Sequence, residues 1–151
     1  MPSKLTDFKT YFSDIVAGNP AFGSFVFGHI ERAIEGTHNT LTYPLFHLHP
    51  PVFKAVDNSS NYFAVRACGT FVVWVLGDTD DLTSQDAAWD LSLELSMSVL
   101  KQMQHDCLDG KIDEFDQNQS EMQMVQPLWV DRGHGWEVYF EFQLPANEDL
   151  C

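Results

Sequence analysis

The residues best suited to chemistry are His47 and His49, in the stretch Tyr43-Pro44-Leu45-Phe46-His47-Leu48-His49. Two residues apart on a strand, both side chains point to the same face. Such a pair holds Zn²⁺ or Fe²⁺ when a third ligand converges on it, and His29, His105 and His134 are the histidines that could supply one. No carboxylate or cysteine stands at a recognised ligand spacing, so the pair reads first as two histidines of a half-buried sheet face. Residues 105–116 can be set against a Ca²⁺ loop with Gly110 at the sixth place, but His105 and Cys107 then occupy the first and third places and Asp116 the twelfth, where Glu is needed. Nucleophilic chemistry has no better footing: GxSxG, the P-loop and GxGxxG are all missing. Cys68 falls mid-strand, and Cys107 lies beside Asp106, where a thiolate is disfavoured. No catalytic, cofactor-binding or metal residue is assigned, no cofactor is expected, and the chain does not read as an enzyme.

The chain is 151 residues long with a net charge of −14, 44% apolar and 20% charged. This is the length and composition of one globular domain spanning residues 1–151. Such a negative balance argues against phosphate-directed nucleic-acid binding and against an anionic membrane surface. Residues 1–56 hold four basic and four acidic residues and are neutral, so residues 57–151 carry the whole −14. Residues 78–116 are densest, with eleven acids against Lys101 and Lys111, which points to one acidic face or rim. Cys68, Cys107 and Cys151 form no CxxC and no disulfide framework, so a reducing compartment is the expectation. The start Met1-Pro2-Ser3-Lys4 leads into an amphipathic stretch rather than a signal-peptide core, and the longest apolar run, 71–76, is too short to span a bilayer.

These residues must be positioned by a small set of elements. Leu5, Phe8, Phe12, Ile15 and Val16 fall on one helical stripe, capped by Ser3 and stopped by Gly18-Asn19-Pro20. Residues 21–36 are ambiguous between a short helix and a strand. Residues 43–49 predict a strand broken by Pro50-Pro51, with 52–56 extending it. The polar turn 57–61 leads to a long strand over 62–76, in which Gly69 suggests a bulge. Thr83 and Asp86 predict a capping box for a helix over 83–107 with Ala88, Leu91, Leu95, Val99 and Met103 on one face, widened by Leu93, Met97 and Leu100. Residues 108–120 predict an irregular connector. Strands over 121–130 and 134–144 close the chain as a hairpin turning at 131–135. Trp136, Val138, Phe140, Phe142 and Leu144 alternate with Glu137, Tyr139, Glu141 and Gln143. The expected fold is α+β: a compact two-layer domain with a mainly antiparallel four-stranded sheet and flanking helices.

The order of segments carries one further signal. An N-terminal helix leads to Phe25-Val26-Phe27-Gly28-His29, then to a strand opening Tyr43-Pro44-Leu45 and ending Pro50-Pro51. A central helix follows, then a closing hairpin with Gly135-Trp136-Glu137-Val138-Tyr139-Phe140. Over residues 8–144 this resembles the small tail-terminator and tail-completion (neck) proteins of bacteriophages and phage-like particles. The resemblance implies a structural virion protein without catalytic residues, assembled as a ring at the head–tail junction. It implies self-association, with six copies the expected number, and contact with tail-tube or neck proteins. It also implies location in the virion or particle after assembly in the host cytoplasm, and no sequence-specific nucleic-acid or membrane binding. Strand edges near Pro50-Pro51 and in 121–130, and the aromatic stretch 21–30, offer surfaces for ring contacts. The acids of 78–116 would line a rim or lumen from which DNA is repelled. Two alternatives remain open: a cytoplasmic adaptor whose acidic face meets a basic partner, and a metal-dependent enzyme using His47 and His49.

Overall fold

The computed structural model describes residues 4–28, 42–57, 63–78, 80–128 and 133–144. Helix α1 (Lys4–Ala17) is followed by strands β1 (Ser24–Phe27), β2 (Leu45–Leu48), β3 (Val52–Asp57) and β4 (Phe63–Leu76). Helix α2 (Leu82–Leu108), a 3₁₀ turn (Gln117–Gln119), and strands β5 (Met122–Leu128) and β6 (Gly133–Leu144) complete the order. The fold is α+β with a mostly antiparallel sheet, ordered β1-β2-β4-β6-β5, with β3 also beside β4. Among the described residues the sheet has six strands rather than four. The tandem prolines at 50–51 supply no backbone donors, so one sheet edge is divided into β2 along the C-terminal half of β4 and β3 along its N-terminal half. The sixth strand is β1, which resolves part of the ambiguous stretch 21–36 and joins β2 in parallel. Residues 29–36 lie outside the described residues.

Helices α1 and α2 pack on one face of the sheet. Phe8, Phe12 and Val16 of α1 are buried against Phe46, Phe71, Phe140 and Phe142, while Leu5 at the helix start is exposed. The buried stripe of α2 runs Ala88, Ser92, Leu95, Ser96, Val99, Leu100, Met103 and Asp106. Leu91 and Met97 are exposed instead. Ser92 and Ser96 lie on the buried face in their place: Ser96 donates to the Ser92 carbonyl one turn back, and Ser92 reaches the sheet itself. The Ser92 hydroxyl donates to the Val73 carbonyl at 2.6 Å and accepts from the Trp136 amide at 3.2 Å, bridging two cross-strand partners.

The ends of α2 follow local chemistry. Its N-cap is Asp81, whose carboxylate accepts from the Thr83 amide at 3.0 Å, so the acid just before the first turn takes the place expected for Thr83. At the other end Gly110 takes φ +78°, its amide bonds Cys107 O and the Lys111 amide bonds Asp106 O. This is a Schellman motif, and it explains the glycine that the Ca²⁺-loop alignment placed sixth. The connector after α2 is irregular, but it buries Ile112 and Phe115 and bridges Asp113 to Gln143 at the end of β6.

The β4–β6 ladder is the spine of the sheet, continuous in register from Val65↔Leu144 to Leu76↔Gly133. No bulge occurs at Gly69. It faces Phe140, whose ring lies 3.1 Å from where a Cβ would stand, so the glycine accommodates the ring. On β6, Val138, Phe140, Phe142 and Leu144 are buried, as the alternation requires. The β3–β4 and β5–β6 pairs are antiparallel, in keeping with their short connections. The connecting turns at 58–62 and 129–132 and the expected cap Ser3 lie outside the described residues.

Candidate functional site

Three polar clusters have the residue types for function, and the register decides what each can do. The first is on the sheet face away from the helices. His47 on β2 is fully buried, and its Nε2 lies 2.8 Å from the Gly28 carbonyl. The Trp74 indole N–H donates to its Nδ1 at 3.4 Å. An indole N–H only donates, so Nδ1 is the acceptor and Nε2 carries the proton toward Gly28 O. His49 packs edge to face on His47 at 4.5 Å, and its Nδ1 is 2.8 Å from the Thr70 hydroxyl. Both expected residues therefore share a face, but the nitrogens of His47 are engaged within the fold.

The other expected ligands are elsewhere. His134 lies on the helix side of β6, buried edge-on against Trp89 at 5.0 Å, and His105 is exposed near the end of α2. His29 lies outside the described residues. Among the described residues no three His, Cys, Asp or Glu side chains converge as a metal-binding group.

The second cluster lies further along the same face. Arg66 of β4 donates through Nε at 3.2 Å and Nη2 at 2.7 Å to one oxygen of Glu141 on β6. The other oxygen accepts from the Tyr139 hydroxyl and from the Cys68 thiol. Hydrogen bonds from Tyr139 and then Arg66 hold the Glu141 carboxyl below the usual range. The hydrogen bond to Glu141 holds the Tyr139 phenol above its ordinary value, and burial followed by the Glu141 charge pushes the Cys68 thiol up. Cys68 is thus a protonated thiol in a cross-strand network, the opposite of an activated nucleophile.

The third cluster was not legible as a site. Asp106 is 4% exposed on α2 and accepts from the Tyr11 hydroxyl at 2.8 Å and Gln102 Nε2 at 2.9 Å, with Lys111 Nζ at 3.9 Å. It borders a cleft of about 510 Å³ between α1 and α2, lined also by Asp14, Ile15 and Ser98. Burial, then the bond to Asp106, drives the Tyr11 phenol well above its ordinary value. The available signal was spacing: 106 continues the buried series 88, 95, 99, 103 of α2. Every polar group on Asp106 comes from the chain itself, so the cluster clamps α1 to α2.

The acids of 78–116 are mostly on the surface: Asp78, Asp80, Asp81, Asp86, Asp90, Glu94, Asp109, Asp113, Glu114 and Asp116 are exposed and Asp106 is buried. No helix among the described residues is long and apolar enough to cross a membrane. No family model, curated protein or solved structure matches the chain.

Proposed function

We propose that this chain is a structural ring component of a phage or phage-like tail, a tail-terminator or tail-completion protein at the head–tail junction. The observation that carries the proposal is the architecture: a compact α+β domain in which α1 and α2 cover one face of a long β4–β6 ladder, in the segment order the resemblance implies. The polar clusters support a structural role, since His47, Glu141 and Asp106 each bond to groups of their own chain. The exposed acids on α2 and the loop after it give a surface that repels DNA phosphates during its passage. In this reading six copies close on a tail-tube or neck protein, and the chain resides in the assembled particle.

The test is co-expression with the proteins encoded beside it, followed by electron microscopy and light scattering. Closed rings seated on the end of a tube are expected. A strict monomer that binds one basic partner one-to-one would overturn the ring and favour the adaptor.

A further inference from the structure

Rows of partnered residues run straight across the sheet from β5 to β1. Met124 of β5 is level with Trp136, Val73, Phe46 and then Phe25 of β1, and Gln123 with Glu137, Val72, His47 and Val26. In the same way Met122 is level with Phe27 and Val125 with Ser24. Among the described residues, no strand pairs with the outer side of β1 or of β5. β3 lies along residues 63–68 of β4, beyond the last of these rows, so it stands outside their level.

The strand directions suit a ring. β2, β4, β6 and β5 alternate, but β1 joins β2 in parallel, so β1 and β5 run in opposite directions. Copies related by rotation about a ring axis keep their strand directions relative to that axis. β5 of one copy therefore meets β1 of the next in antiparallel sense. Had β1 been antiparallel to β2, the two edges would have met in parallel.

The backbone groups fit as well. The Tyr139 amide donates to Glu121 O, which makes 121↔139 a hydrogen-bonded pair. By alternation 123↔137 is another, and Met122 and Met124 turn their N–H and C=O away from β6. On β1 the Ser24 and Gly28 amides donate to Pro44 O and Leu48 O, so Val26 faces β2 too and Phe25 turns its N–H and C=O to the outer side. Met124 and Phe25 both belong to the helix side of the sheet: Met124 is the partner of Trp136, and Phe25 stacks on Phe46 at 5.9 Å. Side chains on one face are what a hydrogen-bonded antiparallel pair requires.

We infer that β5 of one copy adds to β1 of a second copy, with residues 122–125 antiparallel to 24–27, joining neighbouring sheets edge to edge. The inference rests on the ring reading and names its contact. This register makes Met124 and Phe25 a hydrogen-bonded pair, and it sets Met122 beside the Phe27 ring, Gln123 opposite Val26 and Val125 opposite Ser24. Each row continues into the next copy without a step, so neighbouring copies sit on one level. Met124 is 48% exposed and Met122 38%, while Phe25 and Phe27 are half-buried. A groove of about 310 Å³ between Phe25 and the Thr6, Lys9, Thr10 and Ser13 side of α1 would receive the methionines. A methionine sulfur against an aromatic ring is itself a favourable contact. Residues 24–27 and 122–125 carry no charge or proline, the usual devices that keep a solitary edge from pairing. Charge favours this order over β5 on β5: residues 1–56 are neutral and residues 57–151 carry the −14, so β5 meets the neutral part of its neighbour.

The test places Val26→Cys and Gln123→Cys together in a background with Cys68, Cys107 and Cys151 changed to Ser. In the inferred register these two form a non-hydrogen-bonded pair, the kind whose side chains approach closest. The protein is oxidised at high concentration and also together with the tube and neck proteins encoded beside it. The double variant is expected to give a ladder of disulfide-linked multimers that thiol reductant collapses, and each single variant none. Dimers from Gln123→Cys alone would mean that β5 pairs with β5, and the inference would fall. Rings seen by microscopy without a ladder would overturn the edge contact and leave the ring. A ladder of open filaments would support the contact and overturn the ring. Neither assembly nor ladder in either sample overturns the contact. The second arm keeps the native cysteines. Met124→Pro removes an amide that points outward, which an edge strand tolerates, so the variant is expected to stay folded and to need about tenfold more protein to associate than Met124→Ala. Equal association by the two variants contradicts strand addition.

Discussion

Asp106 shows how a residue's role depends on partners the local sequence does not name. Its place on the buried stripe of α2 is legible from spacing, but Tyr11, which bonds it, lies 95 positions away on α1. His47 is similar: its position on the same face as His49 follows from strand period, while Trp74 and Gly28, which occupy its nitrogens, arrive only with the tertiary fold. Removing the carboxylate of Asp106 leaves the largely buried Tyr11 hydroxyl without its acceptor, and an orphaned buried polar group costs about 1–3 kcal/mol. Asp106→Ala should therefore lower the urea midpoint by a corresponding amount. Asp90→Ala, on the exposed side of the same helix, should stay within about 0.5 kcal/mol of the parent. Equal midpoints for the two variants would contradict the clamp.

At the scale of elements, strong periodicity and strong breakers were the readable features. The alternation of 136–144 located β6 and its buried side, and Pro50-Pro51 located the break between β2 and β3. What stayed hidden was set by contact rather than by period. Ser92 takes a core position where its hydroxyl bonds the ladder, and Ser96 takes one where its hydroxyl bonds back to its own helix. Gly69 is an accommodation to Phe140, and β1 gains its strand state from pairing with β2. Phe140 is where these contacts meet: it is fully buried and touches Phe8, Phe12, Phe71 and Phe142. Its truncation to Ala should cost about 3–5 kcal/mol, the range for deleting a buried aromatic. A denaturant midpoint that does not move would mean that the ring contributes little to the core.

For the whole molecule the governing quantity is charge. At −14 on 151 residues, copies brought side by side repel one another, and the exposed acids of α2 and its following loop carry much of that charge. Salt acts on assembly chiefly by screening this repulsion, which is summed over many charges. The Debye length falls from about 30 Å at 0.01 M to about 3 Å at 1 M, so the long-range repulsion fades first. Association should become tighter as salt rises. Light scattering across a concentration series should show the onset of oligomers at lower protein concentration in 0.5 M than in 0.05 M sodium chloride. Onset that shifts the other way would mean that attraction between opposed charges holds the copies together.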